Sequence, residues 1–404
     1  MAKPYDPRPI EFDYTALNTV ISGTPVASAL ARQLEKAAAE RVFLVASNSL
    51  SALTNQFSEL QQALGGRVVG LFDQIGAHTP RPDVMRALQA AREADADLLV
   101  SIGGGSIIDA CKVIQLAIDQ DIETEQQLLE YAQLGDGSRG PKAGDYVSFD
   151  SSLFSGHSKI RQIAVPTTLS GAEFSNNAGV LNPENSTKEG YRGRDLCPQT
   201  IIYDPALSLH TPQWLWLSTA IRSLDHAVEG YCSVDSHAFL DGHFLHAMHL
   251  FADSLPQTRS DTNGLESRSL NQQAVWLACC GLGTVAHGAS HGIGYILGSL
   301  CGVPHGYTSC VMLPAVLEWN SQYNSGRQKS IAAALGKADG TAASAVRDLV
   351  ASLELPGTLQ QVGVAYDQLS EIAERAIMHP VVRKNPRPLE TAEQVMEILD
   401  LAWG

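Results

Sequence analysis

Arg222 and His226 stand four residues apart, and His287, His291 and Tyr295 repeat that interval further along the chain. On a helix, residues at this spacing share a face. The first stretch then presents a guanidinium beside an imidazole, and the second presents two imidazoles beside a phenol. His305 follows His291 by fourteen residues, within Pro304-His305-Gly306, a sequence suited to a helix start. Imidazole titrates near neutral pH and is a common metal ligand. The group suits proton transfer or metal binding, whereas an isolated His more often fills a polar niche in a core. Clustering at helical spacing favours function over packing and leaves the metal question open.

A second feature lies upstream. Gly103-Gly104-Gly105-Ser106 follows the apolar run Asp97-Leu98-Leu99-Val100-Ser101-Ile102 and precedes a helical run through Ile118. A helix N-terminus offers unpaired N–H groups and a partial positive charge to an anion. Glycine lets the backbone approach a phosphate and adopt positive φ. Three in a row exceed what a tight turn requires, so a phosphate-binding loop is expected, although the motif is neither G-x-G-x-x-G nor a P-loop. A common NAD site adds a carboxylate after an early strand to hold the ribose. Here Val42–Ala46 is followed by Ser47-Asn48-Ser49. Ser47 and Asn48 would meet the ribose without repelling a 2′-phosphate, so NADPH is as acceptable as NADH or preferred to it; the alternative is that they only cap the next helix.

The elements that must position these groups differ between the two halves. Strands are expected over 41–46, 67–72, 97–102, 163–165 and 200–203, with helices over 82–94 and 107–118 between them. Such alternation makes a parallel sheet covered by helices. Residues 119–160 read as an excursion with one helix around 124–133 and a Gly/Ser-rich loop near 135–141. After Asp204-Pro205 strand signals vanish, and from Pro212 the chain reads as successive helices. Two domains are expected, an α/β dinucleotide-binding domain over 1–204 and a helical catalytic domain over 205–404, as the length of 404 residues also suggests.

Composition narrows the function classes. An apolar content of 44% with 18% charged residues is that of a globular protein. The net charge of −15 argues against nucleic acid and requires a local cationic pocket for any anionic substrate. No apolar run approaches the roughly 20 residues that span a bilayer, and the N-terminus lacks the apolar core of a signal peptide, so no membrane association and a cytoplasmic location are expected. Seven cysteines, an odd number without a C-x-x-C pair, read as buried free thiols.

Taken in order, Gly103-Gly104-Gly105-Ser106, Pro166-Thr167-Thr168, Tyr203-Asp204-Pro205, Asp225-His226-Ala227-Val228-Glu229 and Pro304-His305-Gly306 resemble the iron-containing alcohol dehydrogenase superfamily over nearly the whole chain. Gly76-Ala77-His78-Thr79-Pro80 and Asn385-Pro386-Arg387-Pro388 are similar to segments of its maleylacetate reductase branch. The resemblance implies a Rossmann-like α/β N-terminal domain with a parallel sheet plus an all-α C-terminal domain, an architecture shared with dehydroquinate synthase. It implies NADH or NADPH as cofactor, with Gly104, Gly105 and Ser106 on the pyrophosphate. Thr167, Thr168, Lys188 and Leu207 would line the rest of a cleft between the domains. A homodimer is implied loosely.

Metal-dependent members use an Asp, a His four residues later and two further His fourteen apart. His226, His291 and His305 keep the imidazole positions, but Arg222 stands where the Asp would be and Tyr295 where a further His is frequent. Asp225, about 100° away from His226 on a helix, is not a direct substitute. A guanidinium opposes a divalent cation and suits a carboxylate or enolate. The expected chemistry is metal-free hydride transfer to an unsaturated oxo acid or a carbonyl, with Arg222 on the developing oxyanion and the proton from His226, His291, Tyr295 or His305. Rival readings are a metal-dependent alcohol dehydrogenase using His226, His291 and His305, a non-redox lyase or cyclase that recycles its cofactor, and a non-catalytic cofactor binder. His287, expected on the helical face of His291, and Ala172, where relatives more often have Ser, either reshape the pocket for a larger substrate or are neutral packing.

Overall fold

The computed structural model describes residues 10, 12, 14–53, 55–134, 138–143, 160–184 and 187–404. The N-terminal stretch read for a signal sequence and part of the Gly/Ser-rich loop near 135–141 lie outside the described residues. The described residues form two compact units, one from Tyr14 to His210 and one from Thr211 to Gly404 together with Ile10 and Phe12.

The first unit contains β1 (Thr19–Ser22), α1 (Val26–Ala37), β2 (Val42–Ala46), α2 (Asn48–Leu53), α3 (Asn55–Leu64), β3 (Val68–Phe72), α4 (Arg81–Glu93), β4 (Leu98–Gly103) and α5 (Gly105–Asp119). It continues with α6 (Glu125–Leu129), β5 (Gln133–Leu134), β6 (Arg161–Pro166), β7 (Asn177–Asn182), β8 (Thr187–Arg192) and β9 (Thr200–Tyr203). Six strands form a parallel sheet in the order β1-β9-β6-β4-β2-β3. The unbroken apolar runs of β2 and β4 follow from this, because a central parallel strand is covered on both faces. Phe43, Val45 and Leu99 pack with Val84, Leu88, Ile107 and Ile114 on one side. Leu44, Leu98, Val100 and Ile102 pack with Leu30, Leu34 and Leu60 on the other.

A small antiparallel sheet, β5-β8-β7, stands apart from the sequence expectation. The helix expected over 124–133 is only α6, capped by Thr124 and Gln127, because Gln133 and Leu134 pair with the edge of β8 instead. The β7–β8 hairpin was hidden because one of its inward positions is Glu189, not an apolar residue. Arg81, itself buried, bonds Glu189 and also Glu125 at 2.8 Å, and Tyr191 donates to Glu189 at 3.0 Å. Buried Lys112 of α5 pins the start of the hairpin, donating to the carbonyls of Ala172 and Asn177, each at 2.7 Å, and to Asp109 at 3.1 Å.

Glu173 is buried beside this hairpin and accepts the Tyr203 hydroxyl at 2.5 Å. Burial pushes its carboxyl up to about 7, against an ordinary 4.5, while Tyr203 and Lys112 oppose the shift. Folding therefore takes up a proton between these values, and stability falls as pH rises through that window. Glu173→Gln removes the titration, so the decline in urea midpoint between pH 5 and pH 8 is expected to shrink, by the equivalent of at most ~3 kcal/mol. An equally steep decline in the variant would show that Glu173 is ionised throughout.

The second unit is built from α7 (Gln213–Cys232), α8 (Ala238–Ser260), α9 (Leu265–Cys279), α10 (Ala289–Cys301), α11 (His305–Asn320), α12 (Ser325–Ala334), α13 (Ala342–Ser352), α14 (Leu369–Met378) and α15 (Ala392–Trp403). From Trp216 to Cys232, α7 is buried on every face, as a central helix must be. Gly230 lets α8 approach closely: a Cβ there would stand 2.7 Å from the Phe244 ring. Among the described residues no helix is long and apolar enough to cross a membrane. All seven cysteines are free, and Cys111, Cys197, Cys232, Cys279 and Cys310 are buried.

Candidate active site

In the first unit, β4 runs directly into α5 through Gly104, the helix N-cap. None of Gly103, Gly104 and Gly105 has positive φ, contrary to expectation. The glycines are needed for space instead. A Cβ on Gly103 would fall 2.6 Å from Ile107 Cγ1, on Gly104 3.0 Å from Thr168 Cγ2, and on Gly105 3.2 Å from Ser170 Oγ. Gly103 is thus a packing glycine, whereas Gly104 and Gly105 keep the helix start open toward Thr168 and Ser170. The left-handed residues lie across the loop, at His78 (φ 62°) and Thr79 (φ 60°). His78 N donates to Ser106 Oγ at 3.1 Å and Thr79 Oγ1 to the Ser106 carbonyl at 3.0 Å, so Ser106 braces this turn.

Ser47 N donates to the Ile102 carbonyl at 3.0 Å and Thr167 N to that of Gly103 at 2.9 Å. These bonds bring Ser47, Asn48, Thr167 and Thr168 to the carboxyl edge of the sheet, on either side of the glycine loop. Lys188 lies on β8, where it is exposed, and its charge adds to burial in lowering the pKa of His78. Leu207 is buried at the start of a short 3-10 turn, in the apolar core with Ile202 and Val26.

In the second unit, α7 supplies Arg222, Asp225, His226 and Glu229, all buried. Glu229 caps α10 from outside that helix. Its carboxylate accepts the N–H groups of Gly288 (2.9 Å), Ser290 (2.8 Å) and His291 (3.2 Å), and His291 Nδ1 at 2.8 Å. When Glu229 is ionised it only accepts, so His291 then carries its proton on Nδ1 and offers Nε2 to His226 Nδ1 at 2.8 Å. His287 Nε2 lies 3.1 Å from the same His226 nitrogen. His287 is not on the helix face expected for it. It precedes the N-cap Gly288, and its ring nevertheless stacks on His291 at 4.2 Å.

Asp225 Oδ2 lies 3.5 Å from His291 Nδ1, on the flank of the imidazole group. It accepts the hydroxyls of Ser290 and Ser309, each at 2.7 Å, and lies 4.0 Å from Arg222 Nη1. Arg222 donates to Ser309 Oγ at 3.1 Å and rests over the Tyr295 ring at 5.4 Å. His305 opens α11 and meets Tyr295 edge-on at 6.3 Å. Burial holds the Asp225 and Glu229 carboxyls above their ordinary range, with Asp225 adding to the shift of Glu229. Burial first, then the Arg222 charge, pulls His287 down to about 3 and His291 well below its usual value. His287 and His291, stacked on each other, are thus held neutral beside a fixed cation, with His226 tilted against both rings.

The resemblance implies an ion among such imidazoles in metal-dependent members. Nitrogens of His226, His287 and His291 do converge to within 4.8 Å, and His305 stands outside this trio. The donor set nonetheless does not fit a divalent ion. Arg222 occupies the acidic position and its charge reaches His287 and His291. The nearby carboxylates of Asp225 and Glu229 are committed to two serines and to the first turn of α10. His226 Nδ1 is shared between the Nε2 atoms of His287 and His291.

Sequence reasoning placed Arg222, His226, His291, Tyr295 and His305 in one unit, and the fold assembles them around α7, α10 and α11. It gave no role to Glu229, Ser290 or Ser309. Glu229 stood within the quoted Asp225–Glu229 motif, and that was the available signal.

Residues 18–205 match the family model for iron-containing alcohol dehydrogenase, and residues 216–403 match that for the C-terminal part of the Fe-containing alcohol dehydrogenase family. The chain is similar to Dehydrogenase FUM7 of Gibberella moniliformis, 30% identical over 94% of this chain and 95% of that protein. It is similar to maleylacetate reductase of Delftia acidovorans, 28% identical over 92% of each chain. In fold it matches the crystal structure of maleylacetate reductase from Agrobacterium tumefaciens, with a TM-score of 0.81, 23% identity and 98% of each chain covered. The chain belongs to the iron-containing alcohol dehydrogenase family, on its maleylacetate reductase-like branch, and is an NAD(P)-dependent oxidoreductase.

Proposed function

We propose that this enzyme reduces an unsaturated oxo acid or a related carbonyl compound without a metal ion. The observation that carries the reading is Arg222, a buried guanidinium anchored by Ser309 at 3.1 Å where metal-dependent relatives have an acid. The unit of residues 14–210 holds the dinucleotide: Gly104 and Gly105 leave room for the pyrophosphate beside Ser106, with Thr167, Thr168, Ser47 and Asn48 on either side. Lys188 and Leu207 complete the cofactor contacts. The reduced nicotinamide, when bound, supplies the hydride. Arg222 stabilises the charge that develops on the substrate oxygen, because its fork of donors is fixed in a dry environment. His291, both of whose nitrogens are engaged, holds His226 in place. Delivery of the proton falls to His226, Tyr295 or His305. The substrate is a small molecule, anionic or carbonyl-bearing, and the working form is a homodimer.

The test is a spectrophotometric screen of NADH and NADPH oxidation against unsaturated oxo acids, ketones and aldehydes, repeated with chelator and with added zinc or iron. Oxidation with an oxo acid, unchanged by chelator and accompanied by less than stoichiometric metal on elemental analysis, is the expected outcome. Oxidation with simple aldehydes alone, abolished by chelation, would overturn the reading. Turnover without net cofactor consumption would point to lyase chemistry.

A further inference from the structure

An open α/β sheet receives its ligand at the carboxyl ends of its strands. The residues that directly follow the six parallel strands are Gly23, Ser47, Asp73, Gly104, Thr167 and Asp204, so two carboxylates stand on that edge. Asp204 is consumed by the fold. Its Oδ1 accepts the N–H groups of Ala206 (2.9 Å) and Leu207 (3.3 Å), and its Oδ2 that of Val26 (2.9 Å). Asp73 is used differently. Among the described residues it accepts no backbone N–H, and a single hydroxyl, Ser51 Oγ, meets its Oδ2 at 2.6 Å.

The register fixes where that carboxylate stands. Val45 of β2 pairs with Phe72 of β3, so Asp73 lies beside Ala46 and one strand from Ser47. Ala46 in turn pairs with Ile102 of β4, which leads into the glycine loop. Adjacent strands are about 4.8 Å apart, so Asp73 is two strand spacings from the phosphate loop. Ser51 belongs to α2, and its bond turns the carboxylate toward the β2–α2 turn of Ser47 and Asn48. That turn is where a dinucleotide site of this kind usually has its ribose-binding acid.

We infer that Asp73 supplies the ribose-recognising carboxylate from the neighbouring strand, pre-oriented by Ser51, and that the enzyme consequently uses NADH in preference to NADPH. The inference rests on the dinucleotide reading of the glycine loop. One carboxylate oxygen is held by Ser51 and the other accepts the adenosine 2′-hydroxyl. A 2′-phosphate at the same place would meet a like charge. Ser47 and Asn48, neutral and small, cannot discriminate by charge.

Binding of NADH and of NADPH to the full chain, followed by quenching of tryptophan fluorescence, tests this, with kcat/KM for each cofactor as a second readout. The wild type is expected to favour NADH about tenfold or more, the scale of one hydrogen bond to a charged group. Asp73→Ser should weaken NADH by a similar factor, strengthen NADPH and remove the preference. Asp73→Asn, which keeps the shape and the Ser51 contact, should also lose the discrimination against NADPH. Ser51→Ala should fall between. Equal or tighter NADPH binding by the wild type, or an unchanged ratio in both Asp73 variants, would overturn the assignment while leaving the dinucleotide site intact. Binding of neither cofactor would bring down the glycine-loop reading, and this inference with it.

Discussion

Replacing Arg222 by alanine is expected to lower kcat by roughly 100- to 1000-fold, the usual effect of removing one preorganised oxyanion donor. Cofactor affinity should stay almost unchanged, because every proposed cofactor contact lies in the other unit. Arg222→Lys is expected to recover only part of the rate, since an ammonium keeps the charge but not the planar fork. The pH profile should move as well. The Arg222 charge helps to keep His287 and His291 neutral, so its loss lets them take up protons at higher pH. Arg222→Asp is the converse experiment: an acid beside the three imidazoles should recruit zinc or iron, read by elemental analysis. Wild-type turnover in the alanine variant would remove Arg222 from the chemistry altogether.

The second large effect belongs to Glu229. Its carboxylate satisfies three N–H groups at the buried start of α10 and the Nδ1–H of His291. Glu229→Ala leaves four donors unpaired in the interior, and a loss of about 3–5 kcal/mol in unfolding free energy is expected. Glu229→Gln should cost less in stability, because the amide oxygen still accepts. Its NH2 group, however, faces donors, so the ring of His291 is expected to shift and kcat to fall. Urea unfolding and turnover, measured on both variants, separate the two contributions. An unchanged urea midpoint in the alanine variant would mean that the cap is replaced by other acceptors.

Much of the sheet was legible because β2 and β4 are covered on both faces and so carry unbroken apolar runs. The helical spacing of Arg222 and His226 likewise declared itself in the sequence. What stayed hidden depends on distance along the chain. The β7–β8 hairpin buries Glu189 against Arg81, and a charged residue at an inward position erases the alternation that marks a strand. The cap on α10 comes from a helix some sixty residues earlier, and local capping signals do not report it. His287 sits off the helix and joins the imidazole group only because the turn at Gly288 folds it back. Asp73 acquires meaning only once the register of β2 against β3 is known. In the glycine loop the strand-to-helix junction lies where the sequence put it, and the glycines answer to close packing against Ile107, Thr168 and Ser170, not to left-handed backbone.

The buried thiols carry a practical consequence. Burial raises the pKa of Cys111 in the first unit and of Cys310 in the second, so neither forms a reactive thiolate while its unit is closed. Each becomes available to an alkylating reagent only when its own surroundings open. Cys111 and Cys310 therefore serve as internal clocks, one in each unit, and pulse labelling read by peptide mass would time the opening of the α/β unit separately from that of the helical unit.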